Sequence, residues 1–379
     1  MNFELFFPFS IPKRVLKAFG TWIEEGSTVA TYIKGIVMHL FFIELYTFLQ
    51  LVFLFTFKDF EDFTLLMTLL PTYIGLFFKT SNFAFKMKQI KRLMAIIEDL
   101  STYCKETEKL KKYLEKVDKI SKLYMTLAFC GCLTGAFLTI YELPYKMWFP
   151  YDINNRFNYW ISAIYQIIDS NICAQVTICI DLIPIIFMCY VVAFLDILCD
   201  RLQALKKEKI KITEFEDFLV PSNEELSKCI EFGIKIGKCV ELIEETFSTI
   251  FFAQGFFSTL ILCTISFSLS LITDPVKFVR LFSYLIPMLL EIYLPCYFGN
   301  EITLMSEKLS ENLFHSEWPE ENKKFRFNML VAMEKMKRSL KIAAFGVFGV
   351  NMNTFTDVCR STYSLFAVFK NIHGQKENI

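Results

Sequence analysis

Several carboxylate side chains lie inside long apolar stretches of this sequence, and carboxylates in such positions can transfer protons across a membrane. Glu44, Asp169, Asp181 and Glu291 are such residues. An ionisable side chain inside a membrane segment is costly, so it usually transfers protons or ions, or pairs with another charge. Because these carboxylates are scattered along the chain, the sequence favours a buried structural pairing as much as a proton relay.

The histidines and cysteines predict neither a metal centre nor a catalytic site. His39, His315 and His373 lie far apart, and no Cys/His cluster has metal-ligand spacing. There is no HExxH motif, no glycine-rich phosphate loop and no G-x-S-x-G nucleophile elbow. We therefore expect no enzyme activity, no metal and no cofactor. The cysteines lie mostly in apolar stretches, which predicts packing residues and not disulfides.

Segment 350–369 is long enough to cross a bilayer as a helix, yet it carries charges near its middle. A charge there costs about 3 kcal/mol on insertion scales. Asn353, Asp357, Arg360 and Ser364 are spaced by four, three and four residues, so they share one helix face. Asp357 and Arg360 are close enough to pair. This face is expected to contact water or protein, not lipid.

The composition is typical of a helical protein that crosses a membrane several times. Of the 379 residues, 54% are apolar and 43 are Phe. The formal net charge is zero, so no basic surface for nucleic acid is expected. The fold class predicted is an all-α membrane protein, embedded in a lipid bilayer.

Apolar segments predict seven spans and their direction. The spans are 29–57, 63–83, 121–142, 159–198, 248–272, 278–303 and 350–369. The fourth is long enough for two spans, but we interpret it as one long helix, in which Pro184 permits a bend. The loops then divide 31 Lys and Arg on one side from 7 on the other. The positive-inside rule predicts a cytosolic N-terminus and an extracellular C-terminus, opposite to a G-protein-coupled receptor.

The basic loops carry apolar residues at helical spacing in 86–100, 114–124 and 323–345. We interpret these stretches as cytosolic helical extensions that pack together below the membrane; an inter-subunit anchor role for them is what the family resemblance described below implies. The chain then divides into 1–303 with six spans, 304–349 as the anchor helix region, and 350–379 as the last helix and its extracellular tail.

An ordered set of short motifs resembles the insect odorant receptors, specifically their variable, ligand-tuned subunits. The motifs are AFGTW (18–22), LPYKMWFP (143–150), Tyr165-Gln166, PCYFGNEI (295–302) and STYSLFAVF (361–369). The resemblance implies a ligand-gated, non-selective cation channel in the plasma membrane of olfactory sensory neuron dendrites. It further implies a hetero-tetramer with a co-receptor subunit and one pore lined by the seventh helix of each subunit.

In this family the ligand pocket lies in the outer half of the bundle, between the second, third, fourth and sixth helices. The resemblance therefore implies a site for a small, mostly apolar volatile odorant, walled by aromatic, Met and hydroxyl side chains. The residues predicted for it are Met67, Leu70, Ile74, Thr134, Phe137, Leu138, Tyr141, Ile167, Asn171, Ala174, Phe282, Tyr284 and Met288.

The family alignment of the last helix places Phe366 at the gate of the pore, with Lys370 one turn further out. The pore residues that this implies are Cys359, Thr362, Phe366, Phe369 and Lys370. Phe366 lies about 200° round the helix from Ser364. Both faces cannot line one axis, so the gate assignment gives Asp357 and Arg360 to neighbouring helices or a cytosolic vestibule.

Two alternatives stay open from the sequence. The first is a channel of the gustatory-receptor type, which works without a co-receptor. The second is a secondary transporter, which the intramembrane carboxylates and the proline in the fourth span would suit. An odd number of spans without inverted repeats, together with long basic loops, counts against the transporter.

Overall fold

The fold was analysed in a computed structural model. It describes residues 5–24, 26–57, 60–104, 107–137, 143–212, 220–272, 274–314, 323–336 and 338–377. Within these ranges the chain is helical apart from loops and one short hairpin, which confirms the all-α prediction.

Long helices form the bundle, and shorter helices pack at one end of it. The short ones are α1 (Ser10–Phe19), α5 (Met87–Thr102) and α10 (Lys323–Met336), with a 3-10 turn over Phe7–Phe9 before α1. The bundle contains α2 (Val29–His39) and α3 (Leu45–Leu54), which together form one pass, and the long helices α4 (Phe60–Phe85), α6 (Thr107–Phe137), α7 (Arg156–Ile212), α8 (Val220–Leu271), α9 (Pro275–Phe314) and α11 (Met352–Glu377).

Five of the described stretches are long and apolar enough to cross a membrane. They are Val29–Leu54, Asp62–Phe85, Arg156–Gln203, Glu224–Ser270 and Pro275–Leu313. The predicted third and seventh spans are helical as α6 and α11, but their described residues do not reach the same apolarity. For α11 the polar face recognised in the sequence explains this.

A π-helical turn over Leu40–Glu44 joins α2 to α3 as one continuous helix. Backbone carbonyls of this turn accept hydrogen bonds from α7. The Tyr165 hydroxyl donates to the Phe41 carbonyl at 3.1 Å, and the Cys173 thiol donates to the Phe42 carbonyl at 3.7 Å. The wider turn therefore anchors the first pass of the bundle to its central helix.

The AFGTW motif places α1 against α2 by glycine-to-glycine packing. Gly20 ends α1 with φ of +89°, a left-handed conformation that glycine adopts at no steric cost. A Cβ added to Gly35 on α2 would lie 2.8 Å from the Gly20 carbonyl oxygen. Only two glycines allow the backbones to approach this closely.

Helix α7 forms the centre of the bundle. It runs unbroken through Pro184, which confirms the prediction of one long helix in place of two. Phe187, Tyr190 and Phe194 on α7 are fully buried, and their rings contact Phe9, Phe247 and neighbouring aromatic side chains. This aromatic packing fills the half of the bundle that also holds α1.

The prediction of helix across 323–345 is wrong for residues 338–345. Helix α10 ends at Met336, and an antiparallel hairpin follows, with strands β1 (Ala343–Ala344) and β2 (Phe348–Gly349). The Leu340 N–H donates to the Ser306 hydroxyl at 2.9 Å, and the Phe345 N–H donates to the Ser248 hydroxyl at 2.6 Å. These bonds to α9 and α8 replace the helical bonds that periodicity alone predicted.

Candidate ligand-binding site

A cavity of about 350 Å³ lies between α4, α6, α7 and α9. Its walls include Leu69 and Tyr73 from α4, Gly131 from α6, and Leu281 from α9. This volume lies at the small end of the range for ligand pockets, about 300–1,000 Å³. We call the part of the bundle around it the cavity half, and the part around Phe187 and α1 the packed half.

Segment 143–146 closes one end of the cavity, which we call the mouth. Lys146 forms an ion pair with Asp62 of α4 at 3.1 Å. Arg280 of α9 donates to the Pro144 carbonyl at 3.3 Å. The Gln166 amide of α7 donates to the Tyr145 carbonyl at 2.9 Å, and its oxygen accepts the Tyr145 N–H at 3.2 Å. The segment is thus held across the mouth by three helices.

Hydroxyl groups on facing helices meet at the cavity wall. The Thr72 and Tyr284 hydroxyls are 2.7 Å apart and join α4 to α9. The Tyr73 hydroxyl donates to the Asp169 carboxylate, which joins α4 to α7. The wall is therefore mixed, with apolar surface interrupted by hydroxyls.

We call the end of the cavity opposite the mouth the floor. A buried charge cluster lies one helical turn beyond it. The Lys79 ammonium is 2.8 Å from the Asp181 carboxylate and 2.5 Å from that of Glu291. These residues follow Leu76, Ile178 and Met288, which line the floor, by three positions each on α4, α7 and α9. All three charged side chains are buried.

A comparison with known protein families identifies the family of this chain. Residues 59–363 match the family described as "7tm Odorant receptor". The chain belongs to the insect odorant receptor family. It is accordingly a multi-pass membrane receptor, an odorant-binding subunit of the ion-channel type, and not an enzyme.

Two Drosophila melanogaster odorant receptors illustrate the similarity. Odorant receptor 33a is 27% identical over 306 residues, which cover 77% of this chain and 78% of that protein. Odorant receptor 94a is 25% identical over 249 residues, which cover 65% of this chain and 62% of that protein.

The fold is similar to that of the insect olfactory receptor OR5 from Machilis hrabei, solved in complex with eugenol. The TM-score is 0.79 at 15% identity, and the match covers 96% of this chain and 97% of the other. The same receptor in a second structure gives a TM-score of 0.79 with 94% of this chain covered. The likeness extends over both halves of the bundle.

The cavity of this odorant receptor lies between the helices predicted to hold the ligand, but most of the predicted residues are beside it. Ala174, Tyr284 and Met288 line the cavity. The residues placed outside its lining are Met67, Leu70, Ile74, Thr134, Ile167, Asn171 and Phe282. Of these, Thr134 bonds the lining residue Ser283 at 2.8 Å. Leu138, Tyr141 and the Phe137 side chain lie outside the described residues.

Leu69, Tyr73 and Ser170 also line the cavity, and each lies one position before a residue predicted from the sequence. One residue turns a helix face by about 100°. Alternation of apolar and hydroxyl residues near the helix ends does not reveal which face points inward, since both faces are apolar in a membrane.

Lys79 was also missed: it lies within the predicted span 63–83, but it was counted with the basic residues of the cytosolic loop that follows. Its partners are 102 and 212 residues away in sequence. In the fold, Asp181 and Glu291 each pair with Lys79. This is the buried structural pairing that the sequence left open beside a proton relay.

Helix α11 packs its more apolar face on α8 and α9 and leaves a polar face exposed. Phe355 and Val358 contact a small apolar cluster that contains Ile292. Asp357 and Arg360 are mostly exposed and lie 3.6 Å apart, as their spacing predicted.

The predicted pore residues lie on a different face of α11 from that ion pair. The Cys359, Thr362 and Phe366 side chains are partly buried within the single chain. The side chains of Phe369 and Lys370 lie outside the described residues.

Proposed function

We propose that this chain is the odorant-binding subunit of a ligand-gated, non-selective cation channel that assembles as a hetero-tetramer with a co-receptor subunit. The observation that supports it is the cavity between α4, α6, α7 and α9. The structurally similar OR5 of Machilis hrabei was solved with eugenol, a small volatile. By analogy, a small and mostly apolar volatile is the ligand here.

The proposal includes a direction in the plasma membrane. With the N-terminus in the cytosol and the C-terminus outside, the cavity half faces outward and the packed half faces the cytosol. Residues 304–349, with α10 and the hairpin, then form the anchor region toward neighbouring subunits. The 31-to-7 distribution of basic residues supports this direction, although Lys79 belongs to the buried cluster and not to a loop.

The proposal also assigns α11 to the pore, with Phe366 as this subunit's part of the gate. The exposed Asp357–Arg360 face is unsuited to lipid, and in this assignment it contacts neighbouring helices or a water-filled cytosolic vestibule beside the pore. The ligand pocket residues proposed from the sequence remain candidates together with the lining residues that the cavity adds.

The test is current recording in cells that express this chain with and without the co-receptor, across an odorant panel and with G-protein signalling inhibited. We expect an odorant-evoked cation current that needs the co-receptor and is insensitive to the inhibitor. A current that is unchanged without the co-receptor would indicate the gustatory type of channel. A tag after Ile379 should stain on intact cells, and staining only after permeabilisation would refute the proposed direction.

A further inference from the structure

The floor of the cavity presents a tyrosine hydroxyl without a partner. Tyr124 of α6 lines the cavity and its residue surface is only 2% exposed. Among the described residues, none forms a hydrogen bond to this hydroxyl, and Glu291 and Asp181 are close enough to act on it electrostatically. A buried hydroxyl without a partner carries a desolvation cost, which a ligand in the cavity can remove by accepting its hydrogen bond.

Four other hydroxyls of the cavity are already committed as donors. Thr68, Thr177 and Ser283 donate to backbone carbonyls of their own helices at 2.6, 2.8 and 2.7 Å. The Tyr73 hydroxyl donates to Asp169.

The Thr72–Tyr284 pair on the wall still offers a donor. Thr72 and Tyr284 share one hydrogen bond, so a single hydrogen of the pair remains. A ligand that fits this inventory supplies acceptors, and it has little use for donors of its own.

Charge at the two ends of the cavity disfavours ions of either sign. The mouth combines Lys146, Lys277 and Arg280 with the single carboxylate of Asp62. A cationic ligand therefore meets an excess of positive charge on entry.

Beyond the floor the excess has the opposite sign. The Lys79 ammonium there faces the two carboxylates of Asp181 and Glu291. An anion that reaches the floor meets this negative excess in a region of low dielectric, where repulsion is strong. Neutral ligands escape both penalties.

We propose that the cavity selects neutral carbonyl compounds, such as ketones and esters, and that the Tyr124 hydroxyl donates the hydrogen bond that recognises the carbonyl oxygen. The Thr72–Tyr284 pair supplies a second donor on the wall. The inference rests on the proposed function, in that the cavity is the odorant site, and it adds the chemical class of the odorant.

The first test measures ligand-induced thermal stabilisation of the purified full-length chain, which requires no channel current. Two matched pairs are compared: acetophenone with α-methylstyrene, and 2-heptanone with 2-methyl-1-heptene. Each pair exchanges C=O for C=CH₂ at nearly constant shape. The panel also contains 1-phenylethylamine and benzoate as the cation and the anion. We expect at least one ketone to bind about three- to tenfold more tightly than its hydrocarbon partner, and more tightly than either ion.

Equal binding of ketone and hydrocarbon, tighter binding of an ion, or no stabilisation by either ketone would overturn the proposal. Binding of the ketones without any co-receptor-dependent current would leave the carbonyl assignment intact and count against the channel function alone.

The second test is Tyr124→Phe, which removes the hydroxyl and keeps the ring. We expect the preference for a ketone over its hydrocarbon partner to disappear, with hydrocarbon binding unchanged. The matched control is Tyr113→Phe on the same helix, whose hydroxyl bonds Asp196 at 2.9 Å outside the cavity. That variant should keep the preference. A Tyr124→Phe chain that retains it, or a Tyr113→Phe chain that loses it equally, contradicts the assignment of Tyr124. If Tyr124→Phe fails to fold, the panel on the unmodified chain decides.

Discussion

The cavity half and the packed half of the bundle share α7 but fill the space around it differently. In the packed half, the large side chains Phe187 and Phe194 are fully buried. In the cavity half, the positions that line the space include Gly131, Ser170 and Ala174. Along α7, small side chains thus border the cavity, whereas large side chains fill the space in the packed half.

The Lys79 cluster lies near the boundary between these halves, one turn beyond the floor. It joins α4, α7 and α9, the same helices that carry most of the cavity wall. A ligand that shifts any one of these helices must therefore move against a three-way ionic contact. This comparison predicts that changes in the packed half and the cluster affect folding, whereas changes on the cavity wall affect ligand response.

Lys79→Met should have the largest effect, because it leaves the Asp181 and Glu291 carboxylates buried without a cation. Breaking a buried charge pair typically costs about 3–5 kcal/mol. We expect a strong loss of surface expression and of thermal stability in detergent. The matched control is the triple variant Lys79→Met, Asp181→Asn, Glu291→Gln, which removes all three charges and should recover much of the loss. Wild-type stability of Lys79→Met alone would show that the cluster contributes little.

Ile183→Ala and Ile178→Ala form a matched pair on α7. Ile183 is fully buried in the packed half, whereas Ile178 borders the cavity. Ile183→Ala should lower stability by about 2–5 kcal/mol. Ile178→Ala should lower it less, since part of its surface already lacks packing partners, and should instead change the odorant dose response. Thermal unfolding of the purified variants measures the first effect and current recording the second. Equal destabilisation by both would remove the distinction between the halves.

Features that depend on residues close together in the sequence were predicted correctly, whereas features that depend on contacts between distant residues were not. Hydropathy and helical spacing are local, and they gave the helices and the Asp357–Arg360 pair. The distribution of basic residues gave the continuity of α7 through Pro184. The hairpin after α10 depends on bonds to Ser306 and Ser248, which are distant in sequence. The Lys79 cluster is equally non-local, so periodicity could not reveal it.

The cavity wall shows the same limit at finer scale. The predicted helices were those around the cavity, but Leu70 and Ile74 were chosen where Leu69 and Tyr73 line it. The rotation of each helix about its axis is set by packing against its neighbours. In a membrane, where lipid-facing and inward faces are both apolar, composition does not determine that rotation.

Thr72→Val should have a smaller effect, confined to the ligand. It keeps the side-chain shape and removes the hydrogen bond to Tyr284 at 2.7 Å across the cavity wall. Loss of one hydrogen bond changes the free energy by about 0.5–1.5 kcal/mol, which shifts half-effective concentrations by about two- to tenfold. The control is Thr47→Val on α3, where the hydroxyl bonds the Ile43 carbonyl of its own helix away from the cavity. A dose response altered equally by both variants would contradict a specific role for Thr72.

Asp62→Asn should have the smallest effect, although it breaks the ion pair with Lys146 at the mouth. The two side chains are 24% and 41% exposed, so solvent screens their attraction. Such pairs contribute about 0–1 kcal/mol. Segment 143–146 also keeps its bonds to Gln166 and Arg280.

We therefore expect normal surface expression of Asp62→Asn and a shift of less than about fivefold in half-effective odorant concentration. Because the contribution is electrostatic, the difference from the unmodified chain should shrink further as ionic strength rises. Gln166→Leu is the informative comparison. It removes both bonds to the Tyr145 backbone from a fully buried position on α7, where no solvent replaces them. It should disturb odorant response more than Asp62→Asn and independently of salt. A larger effect of Asp62→Asn would show that the ion pair with Lys146, and not the buried bonds to Gln166, holds segment 143–146 across the mouth. The mouth would then differ from the packed half, which is held by buried contacts.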